Sequence, residues 1–195
     1  MDTDESLDCE LRDGHGGSVP VNRQTVPRAE REAVILEAAA IEFSAAGFDE
    51  ARISAIAHRA GMTSANVHYY FESKDALVAA VAARAYERLF TDLAELDDPL
   101  ERLHRYVAFH LASHALRGQL QAIAMRCPDL AEVLRQRERW VTATAAEVAG
   151  EALDARVLAA VVTGLVEVVV PDPGARVVLD HAVARLVGRR QRRTA

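Results

Sequence analysis

"AGMTSANVHYYFESKDAL", residues 60–77, is the stretch on which the reading of the chain turns. It sets His68, Tyr69, Tyr70 and Phe71 in a row. It also holds Lys74, the only lysine in a chain that otherwise uses arginine for fixed positive charge. Gly61 offers a tight turn, and Thr63 or Ser64 offers a hydroxyl to cap a new helix. Ser73 caps the next one, a long helix over "SKDALVAAVAARAYERLFTDLAEL" that should stop near Asp97–Asp98–Pro99.

Working outward, "RISAIAHRA" is a short helix with Ile53, Ile56, Ala57 and Ala60 as one apolar stripe, closed by Gly61. A longer helix precedes it from Arg28, with Val34, Ile35, Ala38, Ala39, Ile41 and Phe43 at helical spacing and Gly47 as its stop. Two short helices joined by a glycine turn, behind a third, make a helix-turn-helix unit whose second short helix enters the DNA major groove. Ile35, Phe43, Phe48, Ile53, Ile56, Ala57, Val67 and Phe71 are its expected core.

Charge placement agrees with a DNA-reading face. Acids make up 29 of the 195 residues, yet none falls between Arg52 and Phe71; they resume on either side at Glu50 and Glu72. A carboxylate facing phosphate is repelled, so a DNA face excludes it. A buried hairpin would also lack acids, but Arg52, His58, Arg59, Ser64, Asn66 and His68 are too polar for full burial. The net charge of −6 excludes a uniformly basic nucleic-acid binder, not a local binding face.

The rest of the composition narrows the class. Half the residues are hydrophobic; aromatics are few, and Ala, Leu, Val and Arg are many, which favours helices. No apolar run reaches the roughly 18–20 residues that span a bilayer, and the acidic start lacks the pattern of a signal peptide. A cytoplasmic protein with no membrane partner is expected, its Cys9 and Cys127 reduced. Residues 1–27 read as a disordered arm. Arg23, Arg28 and Arg31 in and beside it have the reach for a minor groove, against the acids at positions 2–13.

These residues resemble the tetracycline-repressor (TetR) family of transcriptional regulators. The resemblance is strongest over residues 33–81. Its elements are "A-x-x-x-F-x-x-x-G-F" from Ala39, "I-A-x-x-A-G" from Ile56 and "Y-Y-F-x-S-K-x-x-L" from Tyr69. The resemblance implies an all-α homodimer, each subunit pairing a three-helix DNA-binding domain with a larger helical domain that dimerises and binds a small-molecule inducer. Binding of the inducer usually releases the double-stranded DNA operator. It implies that Thr63, Ser64 and Ala65 open the reading helix, and that His68 and Tyr69 reach groove and backbone. It implies too that Tyr70 touches phosphate while packing inward, and that Lys74 contacts phosphate. Two departures stand out. Ala51 and Arg52 stand where relatives often carry Ser or Thr, so Arg52 is expected to contact phosphate or Asp49 to supply the cap. Ser64–Ala65 replaces a frequent Lys-Gly, so the operator sequence does not transfer.

The expected division is an arm at 1–27, the DNA-binding domain at 28–75, a ligand and dimerisation domain at 76–190 and a basic tail at 191–195. Later helices are expected at about 99–116, 118–126, 129–150, 154–170 and 174–190, broken at Gly118, Pro128, Gly150, Pro171 and Pro173. "VLAAVVTGLVEVVV" has strand propensity but helical length and surroundings. By the resemblance the last two helices pair with their copies, using Leu158, Val162, Leu165, Val178, His181 and Arg185; a core within one subunit is the competing explanation. Expected inducer contacts are Tyr106, Phe109, His110, His114, Met125, Trp140 and Thr144. Few charges fall on these apolar faces, so a largely hydrophobic inducer is expected.

Two other classes compete. His110 and His114, four apart, could chelate a metal, and Glu101 with His104 gives one Glu-x-x-His, but a di-iron bundle needs two such motifs. These histidines are expected at the surface. No phosphate loop, nucleophile elbow or Cys–His pairing is present, so the sequence calls for no cofactor, metal or catalytic residue. A helical adaptor that uses the same unit for protein contacts is the remaining alternative.

Overall fold

The computed structural model describes residues 27–112, 114–167 and 174–193, and of 112, 114–118, 167, 176 and 187–193 it describes the backbone alone. Residues 1–26 of the expected arm, with Cys9 and Arg23, and the break at Pro171 and Pro173 lie outside the described residues. Among the described residues all regular structure is helical: α1 (Arg28–Glu50), α2 (Ile53–Arg59), α3 (Ser64–Tyr70), α4 (Lys74–Ala94), α5 (Pro99–Ala112), α6 (His114–Ala124), α7 (Pro128–Ala149), α8 (Ala152–Glu167) and α9 (Ala175–Arg193). No described helix is long and apolar enough to cross a membrane.

Local chemistry sets most boundaries. The Thr63 hydroxyl accepts from Asn66 N at 3.2 Å and so opens α3; the Ser73 hydroxyl accepts from Ala76 N at 3.0 Å and opens α4. Pro128 starts α7 where its missing N–H costs nothing, and Gly150, at φ 76°, follows its end. Gly47 breaks the regular course of α1, as expected. It sits at φ 77°, ψ 170°, a kink after which the helix runs on to Glu50. The basic residues at 189–193 are part of α9.

Two cores result. The first gathers Ile35, Phe43, Phe48, Ile56, Ala57 and Val67 of the three-helix unit, all buried. Ile53 and Phe71 pack against it half-buried. This core does not stop at residue 75. Leu77, Val78 and Ala82 of α4, Ile123 of α6 and Leu130 and Leu134 of α7 belong to it. Each fully buried aliphatic or aromatic side chain contributes about 1.5–3 kcal/mol, so the helix-turn-helix draws part of its stability from helices beyond its own. The second core joins Leu103, Tyr106, Val141, Leu158, Val162 and Leu179 across α5, α7, α8 and α9. Leu89 and Phe90 of α4 touch both.

Burial corrects two expectations. Leu158, Val162 and Leu165 point into the second core, with exposures of 0%, 0% and 5%, and are spent on holding the subunit together. The outward apolar side chains are Leu153 and Val157 on α8 and Val177 and Val178 on α9, with His181 and Arg185 exposed beside them. The histidines are not at the surface either. His110 is 2% exposed; its Nδ1 lies 2.9 Å from the Tyr106 carbonyl and its Nε2 lies 3.2 Å from the Tyr86 hydroxyl. A carbonyl only accepts, so Nδ1 carries the proton, and in the neutral ring Nε2 accepts from Tyr86. His104 is buried as well, between Asp180 Oδ1 at 2.7 Å and Glu101 Oε2 at 3.6 Å. The His114 side chain lies outside the described residues, and among those described no cluster of three His, Cys, Asp or Glu forms a metal-binding group.

Candidate nucleic-acid interface

The reading helix α3 is held by one side and free on the other. Val67, fully buried, anchors it, and Tyr70 packs half-buried beside Val67. Ala65, Asn66, His68 and Tyr69 are exposed, Tyr69 at 73%. Thr63 is exposed but its hydroxyl is engaged as the cap, and Ser64 is half-buried. Gly61, at φ 64°, makes the turn that aims α3 away from α2.

Asn66 is missing from the set expected from the sequence. It lies on the same exposed side as Ala65 and Tyr69, and its amide has the donor–acceptor pair that reads an adenine edge, while the Ala65 methyl suits a thymine methyl. The signal was present: with Val67 and Tyr70 turned inward, helical spacing leaves Ala65, Asn66 and Tyr69 outward.

Arg28 is placed more definitely than the sequence suggested. From the first turn of α1, its guanidinium carbon stands 5.7 Å from the Tyr69 ring centre and 5.3 Å from that of Tyr70. The two rings meet edge to face at 5.2 Å. Arg28 Nε also donates to Glu32 at 2.7 Å, a hydrogen bond that raises the arginine pKa further above its ordinary value. The cation thus braces the exposed tyrosine and brings a positive charge to the edge of α3. Arg28→Ala is expected to weaken operator binding about tenfold, with Arg28→Lys intermediate because lysine lacks the planar stacking face. Fluorescence-anisotropy titrations of the three proteins measure this.

Lys74 is neither loose nor buried. Its Nζ donates to the Asp49 carbonyl at 3.0 Å, tying the start of α4 to the last turn of α1. Asp49 therefore serves the junction through its backbone. The residue preceding α2 is Arg52, exposed, whose side chain makes no capping bond. Beside Lys74, Asp75 takes a two-point contact from Arg126, at 2.7 and 3.1 Å, and that hydrogen bond raises the Arg126 pKa. Gln119 of α6 accepts from Phe48 N at 3.1 Å. The three-helix unit is thus joined to the later helices by directed polar contacts as well as by the shared core. Lys74→Ala is expected to weaken binding to all DNA sequences alike and to lower the salt slope of binding by about one unit, as for one lost phosphate contact. Unchanged affinity across a salt titration would remove Lys74 from the interface.

The expected inducer residues divide among three places. Tyr106, His110 and Trp140 come together in a run of stacked rings with Tyr86 and Phe90; Phe90 and Trp140 are 4.9 Å apart, Tyr106 and Trp140 5.3 Å. Trp140, Phe90 and Tyr86 floor an open groove of about 800 Å³ between α4 and α7, rimmed by Glu87, Glu95 and Gln136. Phe109 and His110 face a separate pocket toward α1. Thr144 is buried and donates its hydroxyl to the Trp140 carbonyl, and Met125 is 91% exposed and lines neither space.

Known proteins share this arrangement. Residues 35–81 match the family described as bacterial regulatory proteins, tetR family. The HTH-type transcriptional regulator UidR of Escherichia coli K12 is 30% identical over 118 residues; the match covers 55% of this chain and 59% of UidR. A crystal structure of a TetR-like transcriptional regulator from Rhodococcus sp. RHA1 is 29% identical, covers 84% of this chain and 99% of its own, and has a TM-score of 0.55. Another Rhodococcus transcriptional regulator, at 20% identity, shares the fold over 80% of this chain and 96% of its own, with a TM-score of 0.66. Residues 35–81 are thus similar to the tetR family of bacterial regulatory proteins, and the helices that follow share their fold with the TetR-like regulator from Rhodococcus sp. RHA1.

Proposed function

We propose that the protein is a transcriptional regulator that binds a near-palindromic double-stranded DNA operator as a homodimer and leaves it when a small molecule enters the helical domain. The observation that carries this reading is the exposed side of α3, where Ala65, Asn66, His68 and Tyr69 present apolar, amide, imidazole and phenol groups with no carboxylate among them. Arg28 and Lys74 flank that side, so phosphate contacts and base contacts are both supplied. The dimer would form through the outward faces of α8 and α9, with Val157, Val177 and Val178 central and His181 and Arg185 at the edge. The inducer would lie on the aromatic floor of the α4–α7 groove. Trp140, Phe90 and Tyr86 favour a largely hydrophobic, ring-bearing molecule, and the carboxylates of Glu87 and Glu95 favour one that carries positive charge over one that carries negative charge. An enzymatic or purely adaptor role has no comparable set of residues behind it.

Selection of bound fragments from a genomic DNA library tests the reading. The expected result is one enriched near-palindrome whose half-sites lie about one helical turn or more apart, bound with steep salt dependence. Equal recovery of all fragments, or none, at low salt would refute it.

A further inference from the structure

The second pocket lies on the other side of Tyr86 from the aromatic groove, between the DNA-reading unit and the later helices. It encloses about 190 Å³ and is lined by Phe43 and Phe48 of α1, Val81 and Ala85 of α4, Phe109 of α5 and Leu120 of α6. Among the described residues, no Asp, Glu, Lys or Arg lines it. Its hydrogen-bonding side chains are Ser44, which is exposed and stays hydrated, and Tyr86 and His110, whose hydroxyl and Nε2 face each other at 3.2 Å. A ligand therefore needs no polar group to satisfy the pocket, and a charged one would lose its hydration without a counter-charge. Size narrows the class further, because a dry apolar cavity of roughly 150 Å³ takes a benzene ring.

From this lining and volume we propose that the pocket is a binding site for a neutral single-ring hydrocarbon, of the size of toluene. Such a ligand touches α1 and α4–α6 together, so it fills the seam where Gln119 and the shared core join the DNA-reading unit to the later helices. It differs from the α4–α7 groove in charge and in size: the groove is several times larger and rimmed by carboxylates. The site does not depend on the regulatory reading, because binding is measured without DNA.

The test is a titration of the full chain with toluene, followed by calorimetry and by the melting temperature. Wild type is expected to bind at one saturable site and to melt at a higher temperature. Ala40→Leu fills the pocket from α1, where Ala40 lines it, and is expected to weaken toluene binding at least tenfold. Phe109→Ala enlarges it and is expected to admit naphthalene, which wild type excludes. Circular dichroism confirms that each variant is folded, and the two act in opposite directions, so loss of fold cannot imitate the pattern. Three results overturn the proposal: no saturable binding to wild type, undiminished binding to Ala40→Leu, or binding lost in Trp140→Leu and kept in Ala40→Leu, which places the ligand in the groove.

Discussion

Val157→Asp combined with Val178→Asp is expected to make the protein monomeric and to lower its affinity for a two-half-site operator by a thousandfold or more. Both side chains stand half-exposed on the outward faces of α8 and α9, at 44% and 48%. In a two-fold dimer each substitution occurs twice, so four carboxylates enter one apolar interface. Burying an unpaired charge costs about 3–5 kcal/mol, far more than the roughly 1.4 kcal/mol that changes an equilibrium tenfold. A monomer reaches one half-site only and loses the gain of a tethered second contact. Light scattering reads the mass, and a gel shift reads the operator. The folded state should be nearly untouched, because neither residue belongs to the second core. Leu158→Ala supplies the contrast: its neighbour Val157 faces outward, but Leu158 is fully buried in the subunit, so truncation should cost about 2–5 kcal/mol of stability. A dimer that survives the double aspartate would move the interface elsewhere.

Gly47→Ala is expected to lower the melting temperature by roughly 5–8 °C, more than Gly61→Ala does. At φ 77°, ψ 170°, Gly47 occupies a backbone region that is essentially closed to residues with a side chain. A Cβ there would meet Gln119 at 3.6 Å, an ordinary contact, so the cost is conformational and not a clash. Relaxing the kink would also move Phe48, whose N–H is held by Gln119 and whose ring packs edge to face on Phe43 at 5.0 Å. Gly61 lies at φ 64°, a conformation other residues reach at about 1–2 kcal/mol, and a Cβ there meets nothing within 4 Å. Thermal denaturation of the two variants compares them directly, and equal losses would show that the kink carries no special strain.

The DNA-reading unit was legible in the sequence because its signals are local. A capping hydroxyl at Thr63, a turn at Gly61 and the inward spacing of Val67 each act within a few residues. The later helices were less legible for a physical reason. In "RVLAAVVTGLVEVVV" almost every position is apolar, so the sequence carries no period that separates the inward Leu158 from the outward Val157. His110 reads like a surface residue on its own helix. Part of what buries it is Tyr86, 24 positions earlier. The bracing of Tyr69 by Arg28 has the same character, since it joins residues 41 positions apart that no local pattern pairs. Helix existence follows from neighbours in the chain, whereas facing follows from neighbours in space.

Lys74 closes the junction between α1 and α4 as the only side-chain amine of the chain. Every other fixed cation is a guanidinium, which ordinary acylating reagents leave alone at neutral pH. Amine-selective acylation thus has one side-chain target, and that target lies on the surface proposed to meet phosphate. Its labelling rate becomes a built-in footprint: fast when the surface is open, slow when DNA covers it, and readable on the intact chain without any engineered tag.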